Sequence, residues 1–289
     1  MPYNEGENGR ASQRWLSPHP KGALTGKRLP FRYHPSMETL IERLVDSERT
    51  RFSANEYRGL PDAPPFTFVE GNIAALVSAP HAVTHMRDGR IKASEDFTGP
   101  LALELARLTG AHALVATRFD SCDPNFDPFE TSAYKQALVS YVQSHDIRLV
   151  LDIHGMITAS PAIIALGTGD GANVAARPEV AGLSASIIES KLAPVAEKYG
   201  KEIAIDGYYA ARDANTVCAT VARSCGIAAL QVELSTLLRY PGGIVGHKPS
   251  GERNPFPAAA IAPELSARAN PDPAAVALTV AALADIVKL

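Results

Sequence analysis

The sequence predicts one α/β domain with a central, mostly parallel (mixed) sheet flanked by helices. Two observations support this fold class: short apolar runs of β-type recur along the chain, and helical patterns lie between them. Strands that are apolar throughout are typical of a parallel sheet covered on both faces. The hydrophobic fraction of 46% is large enough to form a sizeable core.

The predicted domain covers residues 36–289. Residues 1–35 are rich in Gly, Pro, Ser and Arg and have no apolar periodicity, so we expect a poorly structured N-terminal arm. The apolar runs interpreted as strands are 73–77, 113–116, 147–153, 162–166 and 227–234. The segments interpreted as helices are 35–45, 98–109, 134–142, 183–199, 215–224 and 272–287.

Capping residues and periodicity define the predicted helices. Thr98 is expected to be the N-cap of the second helix. Segment 134–142 places apolar residues at i, i+3, i+4, i+7 and i+8, which gives one face towards a core. Glycines follow the ends of three helices, at Gly110, Gly200 and Gly226.

Composition excludes several function classes. Lys plus Arg is 28 and Asp plus Glu is 31, so no basic excess indicates nucleic-acid binding, and no basic cluster indicates an anionic membrane. No apolar run approaches 20 residues, so no transmembrane helix is expected. Three cysteines without CxxC spacing and a polar N-terminus predict a cytoplasmic protein in a reducing compartment. The sequence leaves homo-oligomer formation open.

Polar residues follow or end three of the predicted strands. His81 follows the first, Asp152 lies at the end of the third with His154 directly after that strand, and Glu233 lies in the last. Ligands of α/β folds usually bind beyond the carboxyl ends of the strands. Asp152 and His154 are two residues apart, so on a strand both side chains project to the same side. Glu233 has apolar neighbours, and a carboxylate there is costly unless it is paired or functional.

A catalytic zinc site needs about three protein ligands. His81 and His154 are two candidates, and a carboxylate from the long polar loop after His81, Glu95 or Asp96, is the third. The alternative is structural: a single His at a strand end is more often a hydrogen-bonded residue than a ligand, and Asp96 can help to cap a helix.

Segment 118–127 is a second polar region, after the strand at 113–116. It is either a strand-to-helix loop with Asx-turns or a substrate-binding loop, in which Arg118 faces an anionic oxygen and Asn125 an amide or carboxylate. Cys122, in the same segment, is the main rival nucleophile, but no histidine is adjacent to it. Walker A, GxGxxG and GxSxG patterns are absent.

Four short motifs in this order resemble the N-formylglutamate amidohydrolases, relatives of the zinc carboxypeptidases and of aspartoacylase. They are Ser78-Ala79-Pro80-His81, the 118–125 loop, Leu151-Asp152-Ile153-His154-Gly155 and Gln231-Val232-Glu233-Leu234. The resemblance covers residues 70–240. It implies a zinc-carboxypeptidase-like α/β fold with one zinc ion per chain at the strand ends.

The resemblance also implies roles for single residues. His81, Glu95 and His154 are the expected metal ligands, with Glu95 preferred because position 84 of the usual His-x-x-Glu pattern is Thr. Glu233 resembles the catalytic glutamate and Arg118 the arginine that polarises the scissile carbonyl. Asn125, supported by Asp123, resembles a substrate-binding asparagine.

The arginine that holds the substrate carboxylate in aspartoacylase is replaced here by Phe126, so Arg239 or Arg212 is the expected substitute. The expected activity is hydrolysis of the amide of a small N-acyl amino acid. A metallocarboxypeptidase or deacylase acting on another small amide or short peptide is the alternative. A non-catalytic small-molecule-binding protein on the same fold is the alternative of another class.

Overall fold

A seven-stranded mixed sheet forms the centre of the structure, in the order β1-β5-β2-β6-β9-β7-β8. Its strands are β1 Phe66–Val69, β2 Ala75–Ala79, β5 His112–Ala116, β6 Leu149–Met156, β7 Ala162–Gly167, β8 Glu202–Ile205 and β9 Ala228–Ser235. A separate hairpin pairs β3 His85–Arg87 with β4 Arg90–Lys92. The computed structural model describes residues 36–242 and 271–289, all within one compact unit. The predicted arm, residues 1–35, lies outside the described residues.

The predicted fold class is confirmed. Strands β5, β2, β6 and β9 are parallel neighbours, whereas β1 is antiparallel to β5, and β7 is antiparallel to β9. All five predicted strands are present, and every residue of those five is buried except Gly155 in β6, which is partly buried. The two edge strands, β1 and β8, were not predicted because they are short and only partly buried.

Helices cover both faces of this sheet. They are α1 Met37–Ser47, the short turn α2 Ala54–Tyr57, α3 Thr98–Thr109, α4 Ala133–Ser144, α5 Glu179–Lys198, α6 Val217–Cys225, α7 Thr236–Arg239 and α8 Pro273–Val287. Helices α1, α3, α5 and α8 pack together on one face, and α4 packs against α6 on the other. Within the described residues, no helix has the length and apolar character needed to cross a membrane.

The start of α3 differs from its prediction. Thr98 is the first helical residue rather than the N-cap, and the cap position is taken by Phe97 with φ of 68°. The Thr98 hydroxyl donates instead to the carbonyl of Glu95, at 2.7 Å. The helix ends as predicted at Gly110, whose φ of 80° favours glycine. The left-handed residue at the cap turns the chain sharply between Glu95 and the helix.

The topology places the candidate site at one edge of the sheet. His81 lies two residues after β2, His154 lies in β6 and Glu233 lies in β9. These three strands are adjacent and parallel, so their carboxyl ends meet at the same edge. In the register of β6 and β9, His154 and Glu233 are direct partners.

Beside this sheet, the β3–β4 hairpin occupies most of the predicted long polar loop after His81. Its turn consists of Asp88 and Gly89, with φ of 49° and 70°. Positive φ at both central residues is the signature of a type I′ turn, for which Asp-Gly is a preferred pair. The hairpin therefore follows from local sequence and holds Arg87 and Lys92 in fixed positions.

A buried carboxyl group links the π-helical turn Glu48–Phe52 to the start of α3. Glu48 Oε1 accepts hydrogen bonds from the Tyr57 hydroxyl (2.8 Å) and the Phe97 amide (3.1 Å), whereas Oε2 has no partner among the described residues. Burial and the nearby Asp96 carboxylate raise the pKa of Glu48 to about 8, against the two hydrogen bonds. Glu48 is therefore protonated at neutral pH.

Glu48→Gln should stabilise the protein at alkaline pH. Because folding raises the pKa of this acid, its protonated form stabilises the native state at pH values below the unfolded-state pKa. That contribution is lost as the pH rises through the folded-state pKa. Relative to the variant, the free energy of unfolding of the wild type should fall by about 1 kcal/mol per pH unit between roughly pH 5 and pH 8. Urea unfolding at pH 5, 7 and 9 measures this difference. Glu42→Gln, at an exposed position on α1, is the control, and a pH-independent difference would contradict the assignment.

Candidate metal centre

Three side chains converge at the carboxyl ends of β2 and β6. His81 Nδ1 lies 2.9 Å from Glu95 Oε1, His154 Nδ1 lies 3.2 Å from Glu95 Oε2, and the two Nδ1 atoms are 3.2 Å apart. The ligand atoms of the three residues all lie within 4.8 Å of one another. Both histidines are buried and Glu95 is nearly so. The arrangement is compatible with a single metal ion.

The far nitrogen of each imidazole is held by a buried carboxylate. His81 Nε2 lies 2.7 Å from Asp123 Oδ1, and His154 Nε2 lies 2.8 Å from Asp152 Oδ2. A proton on Nε2 that is donated to a carboxylate leaves the lone pair of Nδ1 directed at the shared centre. Two lone pairs 3.2 Å apart repel each other unless a positive charge lies between them. The donor set therefore fits a divalent cation.

The electrostatics of the cluster favour positive charge at its centre. Burial would lower the pKa of His154, but the Asp152 and Glu95 carboxylates outweigh burial and raise it well above its usual value. Burial would raise the pKa of Glu95, but His81, Lys92 and His154 together hold it well below its usual range. Glu95 is therefore ionised and available as a ligand.

The structure brings Glu95, and not Asp96, to the two histidines. Glu95 Oε2 also accepts the amide of Gly155 (2.9 Å), and Oε1 accepts from Lys92 Nζ (2.7 Å). Asp96 Oδ1 accepts instead from the Ser94 hydroxyl, at 2.9 Å.

Glu233 lies beside the cluster on β9, with its position fixed by a neighbour. Its Oε1 accepts a hydrogen bond from Gln231 Nε2 at 3.2 Å, and Gln231 Nε2 also donates to the Tyr209 carbonyl at 3.0 Å. Burial raises the pKa of Glu233 to about 7, with Glu95 adding to the shift and His154 opposing it. A carboxyl group with this pKa can accept and release a proton near neutral pH.

Asp123 and Asn125 lie close to the cluster but are committed to protein partners. Asp123 contacts His81 through Oδ1. Burial would raise the pKa of Asp123, but His81, Lys92 and Arg87 outweigh burial and lower it. Asn125 Oδ1 accepts from the Val217 amide at the start of α6 (2.8 Å), and its Nδ2 lies 3.4 Å from Gln231 Oε1. The structure thus uses both residues to support the site.

Arg118, the predicted catalytic arginine, is not brought to the cluster. Its Nη1 donates to the Pro61 carbonyl at 3.0 Å, and its backbone forms a bridge with Gly59. The chain after β5 pairs with residues 58–61, which directs this side chain away from the sheet edge. Among the described residues, Arg118 makes no hydrogen bond to the three converging side chains.

Neither arginine expected to replace position 126 is free to hold a substrate. Arg239 is buried, and its guanidinium donates to the carbonyls of Leu234 (3.3 Å) and Asp96. It packs on Gly155, where an added Cβ would lie 2.7 Å from its Nε, so it supports the segment that carries Glu95. Arg212 is on the surface and forms a two-bond ion pair with Asp170.

Two cations that are not among the predicted site residues lie next to the cluster. Arg87 Nε donates to Asp123 Oδ2 at 2.8 Å, and Lys92 Nζ contacts Glu95. Both lie on the β3–β4 hairpin. The Asp88-Gly89 pair is the sequence signal that could have identified this hairpin and its charged residues.

Comparison with solved structures found chains of similar fold. A bacteriophage poly-gamma-glutamate hydrolase is 14% identical, with a TM-score of 0.44 over 78% of this chain and 90% of that chain. A Zn-dependent exopeptidase from Parabacteroides distasonis ATCC 8503 is 11% identical, with a TM-score of 0.43 over 86% and 87% of the two chains. No protein-family model and no curated protein matches the chain. At these identities the similarity concerns the fold alone.

Proposed function

We propose that the protein is a zinc-dependent amidohydrolase that cleaves the amide bond of an N-acyl amino acid. One observation carries this proposal: the two imidazole Nδ1 atoms and the Glu95 carboxylate converge on one point, with Glu233 on the adjacent strand. Two histidines and one carboxylate are a common ligand set of catalytic zinc in hydrolases. The resemblance to N-formylglutamate amidohydrolases supports the choice of substrate.

In the proposed mechanism, His81, Glu95 and His154 hold the ion. When bound, zinc supplies a positive charge that acidifies water and polarises a carbonyl group. Asp123 and Asp152 keep the two imidazoles in the tautomer and orientation that the ion requires.

Glu233 performs the proton transfer in this proposal. Gln231 fixes Oε1, and within the described chain Oε2 has no hydrogen-bond partner, so this oxygen is free to accept a proton from the attacking water. Glu233 then returns the proton to the nitrogen of the leaving amine. Its pKa of about 7 suits both steps.

A substrate panel with metal removal tests the proposed function. Purified protein, stripped with a chelator and reloaded with one equivalent of zinc, should hydrolyse N-formyl or N-acetyl amino acids, and the stripped protein should not. Preferential cleavage of peptides would favour a carboxypeptidase on the same fold. A reloaded protein that binds zinc and cleaves none of these compounds would contradict the proposal and favour a binding protein.

A further inference from the structure

Arg87 presents an uncommitted hydrogen-bonding edge beside the candidate metal centre. Its Nε donates to Asp123 Oδ2 at 2.8 Å and its Nη2 lies 2.7 Å from the same oxygen, whereas within the described chain Nη1 has no partner. The side chain is 37% exposed, although the Asp123 carboxylate that it contacts is fully buried. A guanidinium has five N–H donors, so donors remain for a ligand.

The position of this guanidinium is fixed from three directions. The type I′ turn at Asp88 and Gly89 sets the backbone of the hairpin. The Asp123 carboxylate anchors the polar edge of Arg87, and the Phe126 ring lies under its Cζ, 5.2 Å from the ring centroid. A pre-organised arginine loses less conformational entropy on binding an anion than a mobile one.

The same carboxylate ties Arg87 to the metal-binding residues. Asp123 Oδ2 accepts from Arg87, while Oδ1 contacts His81 Nε2. One rigid carboxylate thus fixes the distance between the cation and the converging side chains. A substrate whose anionic group binds Arg87 would therefore lie at a defined distance from the converging side chains.

A cavity of about 470 Å³ lies along the hairpin. Its lining among the described residues is Arg87, Asp88, Arg90, Ile91 and Lys92, with three cations and one carboxylate. Arg90 is exposed and forms no ion pair within the described part of the chain. The cavity therefore has a positive lining to which Arg87 contributes, and its described lining comes from the hairpin alone.

We propose that Arg87 binds a carboxylate of the substrate, which makes it the specificity-determining cation of the site; this inference rests on the proposed function. The guanidinium fork matches a carboxylate, and charge-assisted hydrogen bonds are stronger than neutral ones. Arg90 and Lys92 contribute positive potential along the cavity.

Binding of three ligands to the zinc-loaded Glu233→Gln protein tests this inference without turnover. The ligands are N-formylglutamate, N-formylglutamine and N-formylisoglutamine, which differ only by an amide in place of one carboxylate. Isothermal titration should show N-formylglutamate bound about 10- to 100-fold more tightly than at least one of the two amides. The amide that binds weakly identifies which carboxylate Arg87 contacts.

Arg87→Met in the same background should abolish this preference and leave the weaker amide bound as before. Arg43→Met, which removes an exposed charge on α1, should keep the preference. Equal weakening of all three ligands by Arg87→Met would show that Arg87 acts only through Asp123 and would overturn the inference. Equal binding of the three ligands before the substitution would also overturn it.

The titrations test the role of Arg87 and the hydrolysis assay tests the proposed function, so failure of one can be distinguished from failure of the other. Absence of hydrolysis by the zinc-loaded wild type would refute the function, and the titrations would still show whether Arg87 selects a carboxylate. Hydrolysis of the amide ligands as fast as N-formylglutamate by the wild type would support the function and refute the role of Arg87.

Discussion

Glu233→Gln should lower kcat by about 10²- to 10⁴-fold, the range that is typical of losing a general base. The amide has the shape of the carboxylic acid and can still accept the hydrogen bond from Gln231, but it cannot take a proton. Because Glu233 is not one of the three converging side chains, bound zinc should stay near that of the wild type. Steady-state hydrolysis and elemental analysis of the same preparation measure both quantities.

Glu202→Gln is the matched control, since Glu202 is an exposed glutamate on β8. It should leave kcat and zinc content unchanged. Full activity of Glu233→Gln would show that another group accepts the proton. Loss of zinc together with activity would place Glu233 among the ligands instead.

His154→Ala should remove tight zinc binding. The substitution deletes one of the three ligands and leaves the buried Asp152 and Glu95 carboxylates without their shared partner. Loss of a hydrogen-bond partner of a metal ligand typically weakens metal affinity by about 10- to 100-fold. We expect the loss of His154 itself to weaken zinc affinity by more than this. Competition with a chromophoric chelator measures the affinity.

Two further variants distinguish loss of a zinc ligand from misfolding of the protein. His85→Ala removes another buried histidine, whose ring centroid is 5.4 Å from that of His81, and should retain zinc. Asp152→Asn keeps the shape of the side chain and should weaken zinc binding by about 10- to 100-fold. If His85→Ala lost zinc while His154→Ala kept it, the ligand assignment would be wrong.

The central strands could be predicted from the sequence, whereas the edges could not. The predicted strands are apolar throughout because helices bury them on both sides, and this signal is local. β1 and β8 lie at the edges of the sheet, are four residues long and are partly exposed, so their apolar pattern is weak. The antiparallel pairing of β1 depends on contacts with β5, which no local pattern encodes.

The convergence of His81 and His154 could be predicted because the topology dictates it. His81 follows β2 and His154 lies near the carboxyl end of β6, and these two parallel strands are neighbours. Arg118 could not be placed in this way, because its direction depends on the pairing of the chain after β5 with Gly59. The direction of a loop side chain is set by tertiary contacts rather than by spacing.

The proposed role of Arg87 could not be predicted from the sequence for a different reason. The Asp-Gly turn was visible in the sequence, but a hairpin of three-residue strands has too few residues for a clear alternating pattern. Its importance depends on Asp123, which is 36 residues away in the chain. Only the folded structure shows that one carboxylate contacts both Arg87 and His81.

Anomalous diffraction at the zinc edge, from crystals of protein loaded with one equivalent of zinc, would locate the bound ion. We expect one strong peak, at about 2.0–2.2 Å from His81 Nδ1, His154 Nδ1 and a carboxylate oxygen of Glu95. A peak next to other residues would show that the ligand assignment is wrong. An ion bound to Nε2 of the histidines, in place of Asp123 and Asp152, would show the same.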